Sequence, residues 1–134
     1  MDSKAPMLDE VLILEPDALQ RDLLAMALRR IGYEPVLCQR GAEVSRILLK
    51  RKPVLLILDI YQDDKNGLDL LDELRQAGLL VLTRVILISS MAFPEIIKRA
   101  TRLGVADFLV KPLNTDLLVE HISRVMESRK SERG

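Results

Sequence analysis

Cysteine and histidine are almost missing from this chain: Cys38 and His121 are the only ones. A single thiol excludes an internal disulfide and a Cys-rich zinc site. A single imidazole argues against a His-based metal cluster and a Ser–His–Asp triad. Neither sign of charge is in excess, since 20 basic and 20 acidic residues cancel to a formal net charge of zero. No overall field therefore draws the chain to nucleic acid or to an anionic membrane. No apolar run approaches the ~18 residues of a membrane span. The start, Met1-Asp2-Ser3-Lys4-Ala5-Pro6, is not the basic start and apolar run of a signal peptide, so a cytoplasmic location is expected. What is present is 134 residues, 49% hydrophobic and 30% charged. That is the composition of one globular domain, and a chain of this size buries roughly two-thirds of its unfolded surface.

Short apolar runs alternate with amphipathic stretches. The run 11–14 is too short for a helix and is bounded by Glu15-Pro16. Leu19, Leu23, Leu24, Ala27, Leu28 and Ile31 then recur at helical spacing, with Asp17 as N-cap, Gln20 three positions on and Gly32 as the stop. A weak strand at 35–38 begins with Pro35, which cannot donate to a ladder and so belongs at a sheet edge. A second helix is expected over 41–51. Val54-Leu55-Leu56-Ile57-Leu58 is apolar at every position, as in a strand buried on both faces of a parallel sheet, and it ends at Asp59. A polar turn over 62–67 precedes a helix carrying Leu68, Leu71 and Leu74. A fourth strand at 85–88 ends in Ser89-Ser90. Pro94 and Glu95 open a helix whose inner face is Ile96, Ile97, Ala100 and Leu103. Phe108-Leu109-Val110 is a fifth strand closed by Lys111-Pro112, and a last helix buries Leu117, Leu118, Ile122 and Val125. The repeated strand–helix order predicts an open, doubly wound α/β parallel sheet, with function at the carboxyl ends of the strands.

Collected at those ends are Glu15, Pro16 and Asp17, then Asp59, Ser89 with Ser90, and Lys111. A carboxylate, a hydroxyl and an amine on one rim suit phosphoryl transfer. The carboxylate would be the nucleophile, a divalent metal would bridge protein and phosphate oxygens, and the lysine would balance charge.

Three stretches then carry a family resemblance over residues 8–127. Leu58-Asp59-Ile60 with Gly67 eight residues past the aspartate, Val85-Ile86-Leu87-Ile88-Ser89-Ser90, and Gly104 through Lys111-Pro112 stand in the order of the receiver domain of two-component response regulators. The chain resembles that family, with residues 1–7 as an N-terminal extension and 128–134 as a polar, frayed tail or the start of a linker. The resemblance implies a flavodoxin-like (βα)5 fold with strand order 2-1-3-4-5. It implies Asp59 as phospho-acceptor, Ser89 as the hydroxyl switch, Lys111 as a phosphate contact and Phe108 at the switch-aromatic position. It further implies a cis bond before Pro112, and Mg2+ held by Glu15, Asp59 and the Tyr61 backbone carbonyl. A histidine kinase or phosphotransfer protein would be the partner, and a homodimer would form through the fourth helix, fifth strand and fifth helix. The chain would be a signalling module and not an enzyme.

The departure is in the first strand, where the family usually places two acidic residues. Here Glu15 is followed by Pro16, which has no side-chain oxygen, while magnesium demands near-octahedral oxygen ligation. Asp17, Asp63 or Asp64 would have to compensate. Plainer readings stand beside several of these assignments. Ser89 could make a local turn hydrogen bond, with Ser90 as its rival. Phe108 could be core, His121 a bystander and Cys38 a small apolar residue. Lys50-Arg51-Lys52 and Lys98, Arg99 and Arg102 read as solvated charge. Lys98, Arg99, Arg102, Asp116 and Glu120 are the charges available to a symmetric pairing. Leu79-Leu80-Val81-Leu82 reads as a loop covering the core or, if exposed, as a partner patch. Two other functions remain open: a phosphorylation-independent interaction domain on the same fold, supported by Pro16, and a flavin- or nucleotide-binding enzyme. The latter needs free backbone amides after the first strand, where Glu15-Pro16-Asp17 supplies two negative charges and a missing amide.

Overall fold

A computed structural model describes residues 7–62 and 64–133. Residues 1–6 of the expected extension, and Asp63, lie outside the described residues. The strands are β1 (Glu10–Leu14), β2 (Glu34–Cys38), β3 (Leu55–Asp59), β4 (Arg84–Ser89) and β5 (Asp107–Val110). The helices are α1 (Ala18–Arg30), α2 (Val44–Arg51), α3 (Gly67–Gln76), α4 (Pro94–Arg102) and α5 (Thr115–Arg133). The sheet is parallel throughout, in the order β2-β1-β3-β4-β5. This is the flavodoxin-like order expected above, with β2 at the edge that Pro35 requires.

The continuous apolar runs have a simple cause. Side chains alternate across a strand, and both faces of this sheet are covered. Leu12, Leu14, Leu56, Leu58, Val85 and Leu87 face the side packed by α2, α3 and α4. Val11, Ile13, Leu55, Ile57, Ile86 and Ile88 face α1 and α5. All twelve are fully buried, and each such side chain contributes about 1.5–3 kcal/mol on leaving water. Because every strand runs the same way, all carboxyl ends lie on one edge. Among the described residues, no helix is long and apolar enough to cross a membrane.

Several local expectations are corrected. Asp17 does cap α1, accepting from the Leu19 amide at 3.0 Å. Gln20 makes no capping box; its side-chain oxygen accepts from the Leu113 amide at 3.1 Å and ties α1 to the loop after β5. Leu19 is exposed, because it sits about 140° around the helix from Leu24. Ile97 and Leu117 are likewise exposed, leaving Ala100 as the buried residue of α4, while Leu118, Ile122, Val125 and Met126 form the buried stripe of α5. The expected second helix begins as a 3₁₀ turn, Gly41–Glu43, whose Gly41 and Ala42 amides are held by the distant Asp64 carboxylate at 3.0 Å each. The 79–82 loop divides: Leu80 is buried, and Val81 and Leu82 face outward. The polar segment expected to fray is the end of α5, which stays helical to Arg133. Its charged residues are good helix formers, and Arg84 pairs with Glu132 while Arg129 donates to the Leu82 carbonyl at 3.2 Å.

Candidate functional site

The ladder register sets the geometry of the rim. Leu14 lies opposite Leu58, Asp59 opposite Ile88, and Ser89 opposite Val110. Glu15, Asp59, Ser89 and Lys111 therefore stand at or one residue beyond four neighbouring strand ends. The Ile60 amide continues the pairing to the Ile88 carbonyl at 3.0 Å, and the Lys111 amide to the Ser89 carbonyl at 2.9 Å. The Lys111–Pro112 bond is cis, as the resemblance implied.

The Lys111 ammonium lies between two carboxylates. It donates to Asp59 Oδ2, and it stands 2.6 Å from Glu15 Oε1 as an ion pair whose direction falls outside hydrogen-bond geometry. The other oxygens are also committed. Asp59 Oδ1 accepts from the Tyr61 amide at 2.8 Å, and Glu15 Oε2 from the Asp17 amide at 3.0 Å. Glu15 is wholly buried, and the Asp59 side chain is 4% exposed. Two buried like charges sharing one cation set the electrostatics. Burial pushes the Glu15 carboxyl above its ordinary value, and the Asp59 charge adds to that against the pull of Lys111 and the Asp17 amide. Burial pulls Lys111 down more than any other single influence, yet the two carboxylates together hold its ammonium above its usual value.

This predicts the behaviour of a neutral isostere. A raised carboxyl pKa means that Glu15 ionises first in the unfolded chain, so this group's contribution to stability falls as pH rises above about 4.5. Glu15→Gln is expected to raise the thermal midpoint at pH 7, and the gain is expected to vanish below pH 4.5. Parallel thermal scans of the two proteins at the two pH values provide the check.

The loop after β3 is shaped by close packing. Gln62 Nε2 donates to the Asp59 carbonyl and the Gly67 backbone amide to the Ile60 carbonyl, both at 2.6 Å. A Cβ on Gly67 would lie 2.6 Å from the Asp59 carbonyl oxygen and 2.7 Å from Ile60 Cα. Asn66 then caps α3 through the Leu68 and Asp69 amides.

Ser89 is fully buried and accepts from the Met91 amide at 3.0 Å, the local turn bond weighed above, while its rival Ser90 is exposed. Phe108 is half-buried against the core on the α2–α3–α4 side. His121 is partly buried, and its Nδ1 lies 2.6 Å from Asp107 Oδ2. Cys38 is buried and donates to the Arg40 carbonyl at 3.1 Å, and burial pushes its thiol pKa up. Of the charges suited to symmetric pairing, Arg99 pairs with Asp69, Asp116 with Arg30 and Glu120 with Arg124 within this chain. Arg21 gave no sequence signal, yet its Nη1 donates to the Glu15 carbonyl at 3.0 Å and brings a guanidinium to the rim.

The residues present do not fit a resident divalent cation. Pro16 offers no side-chain oxygen, both Glu15 carboxylate oxygens and both Asp59 carboxylate oxygens have partners, and Asp17 and Asp64 serve as caps elsewhere. Among the described residues, no group of three or more His, Cys, Asp or Glu side chains is placed to hold a metal. A phosphate cradle is also lacking after β1, because the Asp17 amide is spent on Glu15.

A family profile described as "Response regulator receiver domain" matches residues 11–123. The chain is 33% identical over 119 residues to "Transcriptional regulatory protein GlrR" of Escherichia coli (strain K12), covering 87% of this chain and 26% of that protein. It thus spans about a quarter of that relative's length. It is 27% identical over 121 residues to "Chemotaxis protein CheY" of Bacillus subtilis (strain 168), covering 90% of this chain and 99% of that one. Its backbone matches the signal receiver domain of a putative Luxo repressor protein from Vibrio parahaemolyticus with a TM-score of 0.86, at 25% identity over 95% of this chain and 96% of the other. With the strand order, the rim and the matched residues in agreement, this chain belongs to the receiver domain family of two-component response regulators.

Proposed function

We propose that Asp59 accepts a phosphoryl group from a histidine kinase or phosphotransfer protein, the partners with which receiver domains interact, and that residues 8–127 are the working unit. A carboxylate oxygen of Asp59 would attack the donor phosphorus. The P–N bond to the donor imidazole breaks, its electron pair stays on that nitrogen, and an acyl phosphate forms on Asp59. Lys111 would shift from Asp59 Oδ2 to the phosphoryl oxygens, and Ser89 would give up the Met91 amide to donate to one of them. The observation that carries this reading is the convergence of a buried carboxylate, a buried hydroxyl and an ammonium on adjacent strand ends. Movement at Ser89 would pass directly into the 91–93 loop that opens α4.

The surface of α4, β5 and α5 is the output face in this reading. Val110 and Leu117 are exposed there, beside a cleft of about 170 Å³ that Phe108, Leu113 and His121 also line. A partner or a second copy would dock on it, in the cytoplasm, with no contact to nucleic acid by this domain. The specificity of a second copy would rest on apolar residues more than on the charges already paired within the chain.

The second reading, an interaction domain that works without phosphorylation, is favoured by Pro16 and by the committed Glu15 oxygens. Beryllofluoride, a phosphoryl mimic, separates the two. An amide-resolved NMR titration with and without Mg2+ is expected to shift resonances around Asp59, Ser89 and Lys111 and to spread into α4 and α5. Asp59→Asn is expected to abolish the response. Silence from the folded protein in both conditions would favour the second reading.

A further inference from the structure

We infer that this receiver pocket is built around its own lysine and not around a divalent cation: Lys111 is the resident cation, and Mg2+ binds only weakly. The inference rests on the receiver reading only for where the cation is sought, and its test involves no phosphoryl donor.

Each of the four carboxylate oxygens of Glu15 and Asp59 faces an ammonium or a backbone amide. Glu15 is wholly buried, with Oε1 on the ammonium at 2.6 Å and Oε2 on the Asp17 amide at 3.0 Å. Asp59 holds the same ammonium through Oδ2 and the Tyr61 amide through Oδ1. The next position after Glu15 is Pro16, exposed and without a side-chain donor. The two nearby described acids do not fill the gap. Asp17 Oδ1 caps α1, and the Asp64 carboxylate is held below its usual range by the Gly41 and Ala42 amides, which take both of its oxygens.

Charge and geometry decide between the cations. Two carboxylates and one ammonium leave the pocket with a net charge of one negative, whereas a second first-strand acid would leave two. Magnesium needs about six oxygens at about 2.0–2.1 Å in near-octahedral order and sheds its water reluctantly. To enter, it would have to displace an ammonium already in contact with both carboxylates in a site of low exposure, where charge interactions are strong. A flexible lysine stem meets no such geometric demand.

Two substitutions act on separate causes. Pro16→Asp adds the missing oxygen at an exposed position, and Lys111→Met removes the competing cation. The full chain and both variants are titrated with Mn2+, whose paramagnetism broadens the Ile60 and Tyr61 amides on binding, and then with Mg2+ followed by thermal midpoint. The unmodified chain is expected to show no saturable broadening at low millimolar Mn2+ and no Mg2+-dependent rise in midpoint. Each variant is expected to bind at least about tenfold more tightly and to gain midpoint with Mg2+, since a ligand of the folded state stabilises it by mass action. The inference is overturned if the unmodified chain binds Mn2+ at these amides as tightly as Pro16→Asp, or if Pro16→Asp binds no more tightly than the unmodified chain. Pro16→Asp decides the matter alone should Lys111→Met not fold. A silent beryllofluoride titration would count against phosphoryl acceptance and leave this result standing.

Discussion

Gly67→Ala is expected to destabilise the fold by about 2–3 kcal/mol, although the residue opens a helix where alanine is the better helix former by about 1 kcal/mol. The clash wins because of what the new methyl would meet. At 2.6 Å from the Asp59 carbonyl oxygen and 2.7 Å from Ile60 Cα, the neighbours are backbone atoms of the central strand's end and cannot rotate aside. Either α3 moves away from β3, exposing part of the packing of Leu68 and Leu71, or the Asp59–Ile60 backbone bends and carries the acceptor with it. Urea unfolding of the variant measures the loss, and its beryllofluoride titration shows whether the acceptor has been displaced. An unchanged midpoint would mean that the 60–67 loop is looser than this packing implies.

Lys111→Met is expected to cost about 3 kcal/mol at neutral pH, because truncating one partner of a buried ion pair leaves uncompensated charge behind. Two carboxylates are left here, Glu15 wholly buried and Asp59 nearly so. The pH dependence carries the signature. Removing the ammonium takes away an influence that holds the Glu15 carboxyl down, so its pKa rises further in the folded state and the variant recovers stability relative to the parent as pH falls and Glu15 takes up a proton. At the alkaline end the parent loses its advantage instead. Its lysine is raised above the ordinary value of 10.5, so the bridge is fully present below that value and is lost as pH rises through the folded pKa. The stability difference between the two proteins is thus expected to be largest near neutrality and to narrow at both ends. Chemical unfolding across pH tests it, and a difference independent of pH would assign the loss to packing of the lysine stem.

The elements were legible to very different degrees. The apolar runs at 11–14, 54–58 and 85–88 announced strands covered on both faces, and two buried clusters on opposite sides of the sheet are the result. The positions of Asp59, Ser89 and Lys111 just past apolar runs place them on one rim from the sequence alone. Helix faces were read less well. Leu19, Ile97 and Leu117 fit a helical spacing but are exposed, because spacing alone does not say how far a neighbouring layer extends along the helix. The contacts that finish the site had no sequence signal. Gln20 reaches the Leu113 amide, Arg21 the Glu15 carbonyl, and Arg75 the Leu103 and Gly104 carbonyls at the end of α4. Glutamines and arginines in such positions are ordinarily solvated.

By itself the sequence determined the order and type of the elements, the edge position of β2 and the presence of Glu15, Asp59, Ser89 and Lys111 at the strand ends. Periodicity, breakers and caps act over a few residues, and parallel pairing with right-handed crossovers leaves few ways to join the pieces. Only the tertiary structure decided the state of the acidic pocket. Lys111 is 52 residues from Asp59, and nothing local to any of the three chain segments says that one ammonium will serve both Asp59 and Glu15. That outcome depends on burial, which turns a strand-end glutamate into a charge needing a partner, and on the sheet register, which brings the lysine within reach of both carboxylates.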